Sequence, residues 1–465
     1  MEILSGNYAE NAAWLDATLG VGRSCDIVSR DYIICGRRAR LWVVDGFGMD
    51  AALERMGAFW LSLSVEKAAG ITRMQEFLDR FVTFTECAAE EKTGAIVTSV
   101  LLGKSCLLLE GARGAGLIDA KEYPARSVSE PADGKVLRGS HDGFVEAVVP
   151  NMALLRRRIR DPKLTMEAMQ VGRRSKNDVV LCYLEDRVDR EVLAQLREKL
   201  RGIQVNSLSM GQESVAEAIR PGQWYNPFPK VRYTERPDTV AASVMEGKIA
   251  LMVDNSPSVM ILPTTFFDFT QETNDFYFPP LIGTYLRLLR ITVFLMSLFI
   301  TPVWLMAVER GYLVPKESGA ALGLLGQLLV VEFLIDVLKL ASLNTPDALS
   351  SSFSMLGALI LGDFAVQAGW LGPEVLVYMA FVSVSGFAQP SYELGYAFKL
   401  MRLMLLVVTA LLDVLGFLVG VGIIATLLCT AKPLVGKGYL YPLLPFHARA
   451  LKRLLIREHI GEDNT

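Results

Sequence analysis

Residues 291–308 read ITVFLMSLFITPVWLMAV, eighteen consecutive residues without a charged side chain. A helical run of about this length spans the hydrocarbon core of a bilayer, so the stretch predicts a transmembrane helix. Arg287 and Arg290 stand just before it. Because cytoplasmic flanks are enriched in Lys and Arg, these two arginines predict that the helix begins at the cytoplasmic face.

Four further apolar segments follow, at about 320–341, 353–370, 375–388 and 403–430. The tail at 432–465 begins with a basic stretch, which also predicts a cytoplasmic position. Two ends on one side require an even number of crossings. The segment 284–431 is therefore predicted to be an α-helical transmembrane bundle, with about four spans plus one re-entrant or interfacial segment. The short segment 375–388 is one candidate for the latter.

The region before this bundle, 1–283, instead alternates predicted strands with short helices. Strands are predicted at 31–35, 40–45, 104–110, 117–119, 178–184, 203–208 and 248–254, and helices at 49–63, 72–81, 189–200, 214–219 and 240–246. The alternation predicts a mostly wound α/β region. A polar and basic connector at 124–160 divides it into subdomains 1–123 and 161–283, and no internal repeat is evident. The predicted fold class is a multi-domain membrane protein with an N-terminal α/β region.

Composition and motifs argue against several classes of function, namely nucleic-acid binding, metal or cofactor binding, and catalysis. The N-terminus lacks the basic start and apolar core of a signal peptide, so the α/β region is predicted to be cytosolic. A net charge of −3 argues against nucleic acid as a partner. With six scattered cysteines and three histidines, no metal site and no cofactor are predicted. No catalytic motif is present, so we expect no enzyme, and the glycine-rich stretch 111–116 is interpreted as a hairpin turn.

Two dense basic clusters have open interpretations. They comprise Arg156, Arg157, Arg158 and Arg160 in the first cluster, and Arg173, Arg174 and Lys176 in the second. One interpretation is a solvated face paired with nearby acids. The other is contact with a neighbouring subunit or with anionic headgroups, where each basic group near the surface gains about 1 kcal/mol.

Acidic and polar residues within the apolar segments are the main functional candidates. Glu332 and Asp336 lie four residues apart, as do Asp363 and Gln367, and Asp413 interrupts the last segment. Carboxylates in hydrocarbon usually face protein or a water-filled path, so a pathway and helix-to-helix contact both stay open. Small residues in 353–370 permit close helix packing or line a narrow pore. The ion-pathway candidates are Ser354, Gly357, Asp363, Gln367, Glu332 and Asp336.

Separated motifs also resemble a known family. The stretches SEP (129–131), RGSHDGF (138–144), LRRRIRD (155–161), VGRRSK (171–176) and DNSPSVMILPTT (254–265) resemble the A subunits of spore germinant receptors, the GerA family. The stretches NTPD (344–347), GDFAVQAGW (362–370), QPSYELGYA (389–397) and YLYPL (439–443) resemble a branch of that family that stands outside the receptors proper.

This resemblance implies a protein of the spore inner membrane with a cytosolic N-terminal domain. It implies ring-like homo-oligomers in the lipid bilayer. It also implies other spore membrane proteins as partners: a small membrane partner, germinant-receptor proteins or the dipicolinate-moving SpoVA group. The expected function is an ion-channel-like subunit that releases monovalent cations during germination, with Asp363 attracting cations. The alternative is a non-conducting scaffold for those partners. An alternating-access transporter is disfavoured because repeated halves with broken helices are not evident.

Overall fold

The computed structural model describes residues 2–68, 70–123, 140–220, 222–272, 274–313, 322–344, 364–436 and 438–456. The chain forms two compact units. The N-terminal unit comprises Met1–Pro221, Val231–Thr264 and Leu434–Gly436, and the helical unit comprises Gly222–Lys230, Thr265–Pro433 and Lys437–Thr465.

The first half of the N-terminal unit is a five-stranded sheet with four helices. Its elements are α1 (Tyr8–Leu19), β1 (Ile27–Ile34), β2 (Arg37–Val44), α2 (Asp50–Leu61), α3 (Met74–Phe81), β3 (Cys87–Glu90), α4 (Thr93–Leu101), β4 (Ser105–Leu109) and β5 (Ala115–Ile118). The strand order is β1-β2-β4-β5-β3. Apolar side chains alternate along the strands, so that Trp42 belongs to the core on one face and Leu41 to the core on the other.

The second half repeats this arrangement. Its elements are α5 (Val148–Arg158), β6 (Leu164–Val171), β7 (Asn177–Leu184), α6 (Arg190–Arg201), α7 (Gln212–Ile219), β8 (Arg232–Thr234), α8 (Pro237–Met245), β9 (Ile249–Val253) and β10 (Val259–Leu262). The strand order is β6-β7-β9-β10-β8. The predicted N-terminal α/β region with two subdomains is confirmed, since the unit contains two sheets with packed helices. The expected wound arrangement is wrong, because every strand pairing within the two sheets is antiparallel.

The two halves are a structural duplication that extends to the pairing of the strands. Strand β2 pairs with β4 in the first sheet, and β7 pairs with β9 in the second. The register is equivalent, since Trp42 lies opposite Cys106 and Cys182 lies opposite Ala250. The helices match in length as well, since α2 and α6 each contain 12 residues and α4 and α8 each contain 9 residues. The expectation of no internal repeat is therefore wrong. The repeat is carried by apolar alternation and register, which many different residues satisfy.

Short polar details also recur in both halves. The Asn11 side chain brackets the backbone of Ser5, accepting from its amide at 2.8 Å and donating to its carbonyl at 2.7 Å. Asn151 does the same with Val145, at 2.8 and 2.6 Å. Both asparagines thereby fix the chain that enters the first helix of their half.

Several predicted elements agree with the structure and one does not. The hairpin turn at 111–116 is confirmed, since β4 and β5 pair across it. The strand at 203–208 is wrong: this stretch is a loop whose carbonyls at Val205 and Asn206 accept from the amides of Arg173 and Arg174 at 3.0 and 2.9 Å. Its hydrogen bonds go to a turn, so it adds no strand to the sheet.

The helical unit contains seven helices within the described residues: α9 (Asn274–Tyr277), α10 (Pro280–Glu309), α11 (Leu324–Asn344), α12 (Ala365–Gln367), α13 (Pro373–Phe387), α14 (Tyr392–Thr430) and α15 (Ala448–Leu455). Among those residues, α10 and α14 are long and apolar enough to cross a membrane, by length and composition. The predicted stretch 291–308 lies within α10. The number of crossings stays a prediction because 345–363 lies outside the described residues.

The last predicted segment, 403–430, is not one continuous helix. Asp413 adopts φ 52° and ψ −133°, a conformation that breaks α14 into limbs 392–412 and 414–430. The limbs fold back on each other: a Cβ added at Gly420 would lie 2.5 Å from Leu405 Cδ1, and one at Gly416 would overlap the Val408 carbonyl. Glycine at these two positions therefore allows the limbs to pack closely.

Candidate ion-pair site of the helical unit

Glu332 and Asp336 lie one turn apart on α11, as predicted, and both face the 392–412 limb of α14. Arg402 Nε donates to Glu332 Oε1 at 2.9 Å, and a second guanidinium nitrogen reaches the same oxygen. Lys399 Nζ lies 3.5 Å from Glu332 Oε2 and also pairs with Asp336. Two carboxylates from one helix thus meet two cations from another.

The network is buried, but unevenly. The side chains of Glu332 and Arg402 are 4% and 6% exposed, whereas that of Asp336 is 35% exposed. Arg402 Nη1 also donates to the Ser297 carbonyl of α10 at 3.0 Å. Because buried charges are costly unless paired and hydrogen-bonded, this site couples α10, α11 and α14.

This geometry determines what the two acids can do. In the described arrangement both Glu332 and Asp336 face a cationic side chain, so neither offers an unbalanced negative charge to a passing ion. Asp336 is the acid that remains partly accessible. An inorganic cation reaches Glu332 only in competition with Lys399 and Arg402. The assignment of the two acids to an ion pathway stays a prediction.

The other predicted pathway residues are placed less completely. Gln367 is exposed and lies on α12, within the predicted segment 353–370. Ser354, Gly357 and Asp363 lie outside the described residues. Asp413 sits at the reversal of α14 and pairs with Arg310 at 2.8 Å, just beyond the end of α10.

Lys399 and Arg402 were not among the predicted site residues. The sequence carried a signal for them, since they lie three residues apart at the start of an otherwise apolar helix. Ionisable residues within apolar helices usually pair with one another. The acidic pair on one helix and the basic pair on another were complementary in charge and in spacing.

The first basic cluster contains one clear correction. Arg156 is one of the candidates for contact with a subunit or headgroups, with a solvated face as the alternative, but its side chain is only 1% exposed. Its guanidinium donates to Asp26 at 2.6 and 3.1 Å and to the carbonyls of Asp161 and Leu164 at 3.0 and 2.9 Å. A buried, fully engaged guanidinium stabilises the contact between the two halves, so surface contact by Arg156 is excluded in this structure.

The rest of the first cluster lies nearer the surface. Arg157 is exposed and stacks over the Tyr123 ring at 4.8 Å, and Arg160 is exposed. Arg158 is partly buried and pairs with Asp142 at 2.6 Å. Burial alone would raise the pKa of Asp142, but hydrogen bonds from Arg158 and Ser140 outweigh it and hold the pKa below its usual value.

The second basic cluster occupies the turn between β6 and β7, and we call residues 172–176 the basic loop. Arg173, Arg174 and Lys176 are all exposed there. The corresponding turn of the first half, between β1 and β2, has only residues 35 and 36, so the basic loop is three residues longer. Insertions of this kind in one copy of a repeat are often binding loops. The prediction of partner or headgroup contact therefore stays with this loop.

Comparison with known proteins places these features in a family. The sequence profile described as "Bacillus/Clostridium GerA spore germination protein" matches residues 15–465. Stage V sporulation protein AF of Bacillus subtilis (strain 168) is 34% identical over 97% of this chain and 92% of its own length. Spore germination protein KA of the same organism is 27% identical over 83% of this chain and 72% of its own.

One solved structure is also similar. The crystal structure of the N-terminal domain of the A subunit of the Bacillus megaterium spore germinant receptor GerK3 is 25% identical, with a TM-score of 0.45, and covers 57% of this chain and 97% of that domain. The family that the separated motifs predicted is confirmed by the profile and by the relatives. The chain belongs to the GerA family of spore germination proteins.

Proposed function

We propose that this chain is a non-enzymatic, ring-forming subunit of the spore inner membrane that conducts monovalent cations outward during germination. Membership of the GerA family and the apolar helices α10 and α14 support a membrane role in germination. A membrane role is also supported by a relative, YfkQ of Bacillus subtilis (strain 168), which is described as an uncharacterized membrane protein and is 26% identical over 83% of this chain.

The observation that carries the proposal is the ion-pair site. Two acids and two bases are kept between the largely apolar helices α11 and α14, although a hydrophobic contact of the same volume is often at least as stable. Ionisable residues retained in apolar helices commonly mark ion pathways. This pattern supports a unit built to move charge rather than only to pack.

The direction of the helices supports a multi-pass arrangement. Phe294 contacts Phe398, Ser297 contacts Arg402, and Arg310 contacts Asp413, so α10 and the 392–412 limb run the same way. The 414–430 limb then returns towards the end where α10 begins. With the arginines before residue 291 at the cytoplasmic face, this direction is consistent with a cytoplasmic tail.

In the proposed mechanism, Ser354, Gly357, Asp363 and Gln367 line the pathway and the Asp363 ring concentrates cations. The ion-pair site fixes α11 beside α14 while the pathway is closed. Opening separates the helices, and Asp336, already the most accessible member, is the first acid available to a cation.

The test is potassium efflux from liposomes that contain the purified full-length chain. We expect efflux above that of protein-free liposomes, a marked loss with Asp363→Ala, and retention with the matched control Asp363→Glu. Equal amounts of protein must be present in each vesicle preparation. An absence of efflux from correctly inserted protein contradicts conduction, and wild-type efflux from Asp363→Ala removes that residue from the pathway.

A second candidate is a non-conducting scaffold that gathers germinant-receptor or SpoVA proteins in the spore membrane. Two observations favour it: the ion-pair site is balanced in charge, and the exposed basic loop is an insertion that the fold does not require. The scaffold predicts that these partners are recovered from spore membranes with the wild-type chain but not with a variant in which Arg173, Arg174 and Lys176 are alanine. It also predicts no ion flux through the purified chain.

A further inference from the structure

An apolar groove of about 450 Å³ lies within the helical unit, near the start of α10. Its wall includes six phenylalanines, among them Phe266, Phe294 and Phe398, and several leucines, among them Leu428, Leu443 and Leu455. Pockets that hold one small ligand typically measure about 300–1,000 Å³, so the groove has room for a single flexible molecule.

The chemistry of the wall selects a hydrocarbon occupant. Thr270 and Arg290 are the polar residues that line it. The Arg290 guanidinium is already engaged, donating to Asp275 at 2.9 and 3.0 Å and to Glu272 at 2.7 Å. A polar ligand inside the groove would therefore lose its hydrogen bonds with water without gaining new ones. An acyl chain has no such hydrogen bonds to lose.

The rim supplies positive charge. Helix α15 carries Arg449, Lys452 and Arg453 among alanines and leucines, and it contains no acidic residue between Ala448 and Leu455. Arg449 and Lys452 are exposed, and Leu455 of the same helix lines the groove. A short amphipathic helix of this kind is typical of the headgroup region of a membrane.

The position of α15 is fixed against α10. Arg287 Nη1 donates to the Leu454 carbonyl at 3.2 Å, which holds the C-terminal end of the short helix. The preceding loop exposes Leu443, Leu444 and Phe446. An apolar groove, an exposed apolar loop and a basic rim thus lie together at one end of α10.

We propose that this groove binds one acyl chain of an anionic phospholipid whose phosphate is held by the exposed side chains of Arg449 and Lys452 on α15. The acyl chain fills the space between α10 and the 414–430 limb. The anionic headgroup adds an ionic contact that a zwitterionic lipid makes more weakly. We expect the anionic lipid to bind about five-fold more tightly for each basic residue that contacts its phosphate. The inference does not depend on ion conduction.

Ala425→Trp tests the groove. Ala425 lines it, whereas Ile423 on the same limb is exposed and does not. The full-length chain is purified in detergent and its retained phospholipid is measured by mass spectrometry. We expect about one tightly held anionic lipid per chain in the wild type and in Ile423→Trp, and its loss in Ala425→Trp. Equal lipid retention in all three proteins overturns the proposal.

Cys429 gives a second readout that does not depend on stoichiometry. It lines the groove and is the exposed one among six cysteines. We expect added phosphatidylglycerol to slow maleimide labelling of the delipidated wild type, with phosphatidylcholine less effective, and Cys429→Ser to abolish the lipid-sensitive signal. Lys452→Gln should reduce the preference between the two lipids about five-fold.

The outcomes separate the possible occupants. Equal protection by both lipids overturns the headgroup contact. Protection that depends on protein concentration and not on lipid shows that a second copy of the chain fills the groove, which overturns the proposal. Helix content and a single size-exclusion peak in detergent serve as the check that Ala425→Trp and Lys452→Gln are folded, so this test is independent of ion conduction.

Discussion

Neutralising Glu332 is the sharpest perturbation of the ion-pair site. Glu332→Gln keeps the size of the side chain and removes the charge that balances Arg402 and, at longer range, Lys399. Arg402 then retains the Ser297 carbonyl as its acceptor and Lys399 retains Asp336. The variant leaves a buried guanidinium without its carboxylate.

The magnitude follows from the burial of the partners. Removing one member of a buried ion pair costs about 3–5 kcal/mol, and both Glu332 and Arg402 are almost fully buried. Asp336 is 35% exposed, so water replaces part of its interaction and Asp336→Asn should cost about 1 kcal/mol or less. The expected order of the two losses is therefore fixed by the structure.

The assay is the free energy of unfolding of the full-length chain in one detergent, followed by helix content against denaturant. A double variant, Glu332→Leu with Arg402→Leu, provides the matched control. It removes both charges and leaves the Lys399–Asp336 pair, so we expect it to be near wild-type stability or above. Stability restored in the double variant assigns the loss in Glu332→Gln to the unpaired charge.

Two results would refute this reasoning. If Glu332→Gln destabilises the helical unit no more than Asp336→Asn does, the site is not a buried network in solution. If the double variant is as unstable as the single one, the loss comes from packing and not from charge.

Three further outcomes are expected. Gly416→Ala should destabilise the chain by about 1–3 kcal/mol, because its Cβ would overlap the Val408 carbonyl. The control Gly422→Ala has open space around its Cβ and should not destabilise the chain. Equal effects of the two variants in a denaturant titration would contradict the reversal at Asp413. Arg156→Ala should cost about 3–5 kcal/mol and Arg157→Ala less than about 1 kcal/mol; thermal unfolding that ranks them the other way would contradict the buried role of the first. Replacing the three exposed basic residues Arg173, Arg174 and Lys176 by alanine should leave stability within about 0.5 kcal/mol and lower recovery of partners from spore membranes. A large loss of stability would show that these side chains are structural.

Local pattern predicted much of the fold. The uncharged run at 291–308 is helical, and the turn at 111–116 joins two strands. The duplication is not predictable from the sequence pattern, because its two copies share apolar alternation and strand register rather than identical residues. Short edge strands such as Arg232–Thr234 have too few residues to show a period of two.

The sequence predicts the acidic half of the ion-pair site but not its basic half. Spacing placed Glu332 and Asp336 on one face of a helix, but which helix opposed them depended on contacts with residues far along the chain, Lys399 and Arg402. Arg156 was misjudged because its cluster is dense in charge. It lies one helical turn after the buried Met152 on α5, and this spacing is the signal that the charge density concealed.

The central claim, that the chain conducts cations, is tested most directly by the reversal potential of the purified protein in a planar bilayer with a ten-fold potassium chloride gradient. A cation-selective pathway predicts current that reverses near the potassium equilibrium value, about 59 mV from zero for a monovalent ion. Current that reverses at the chloride value, or no current from protein shown to be inserted, would contradict the account.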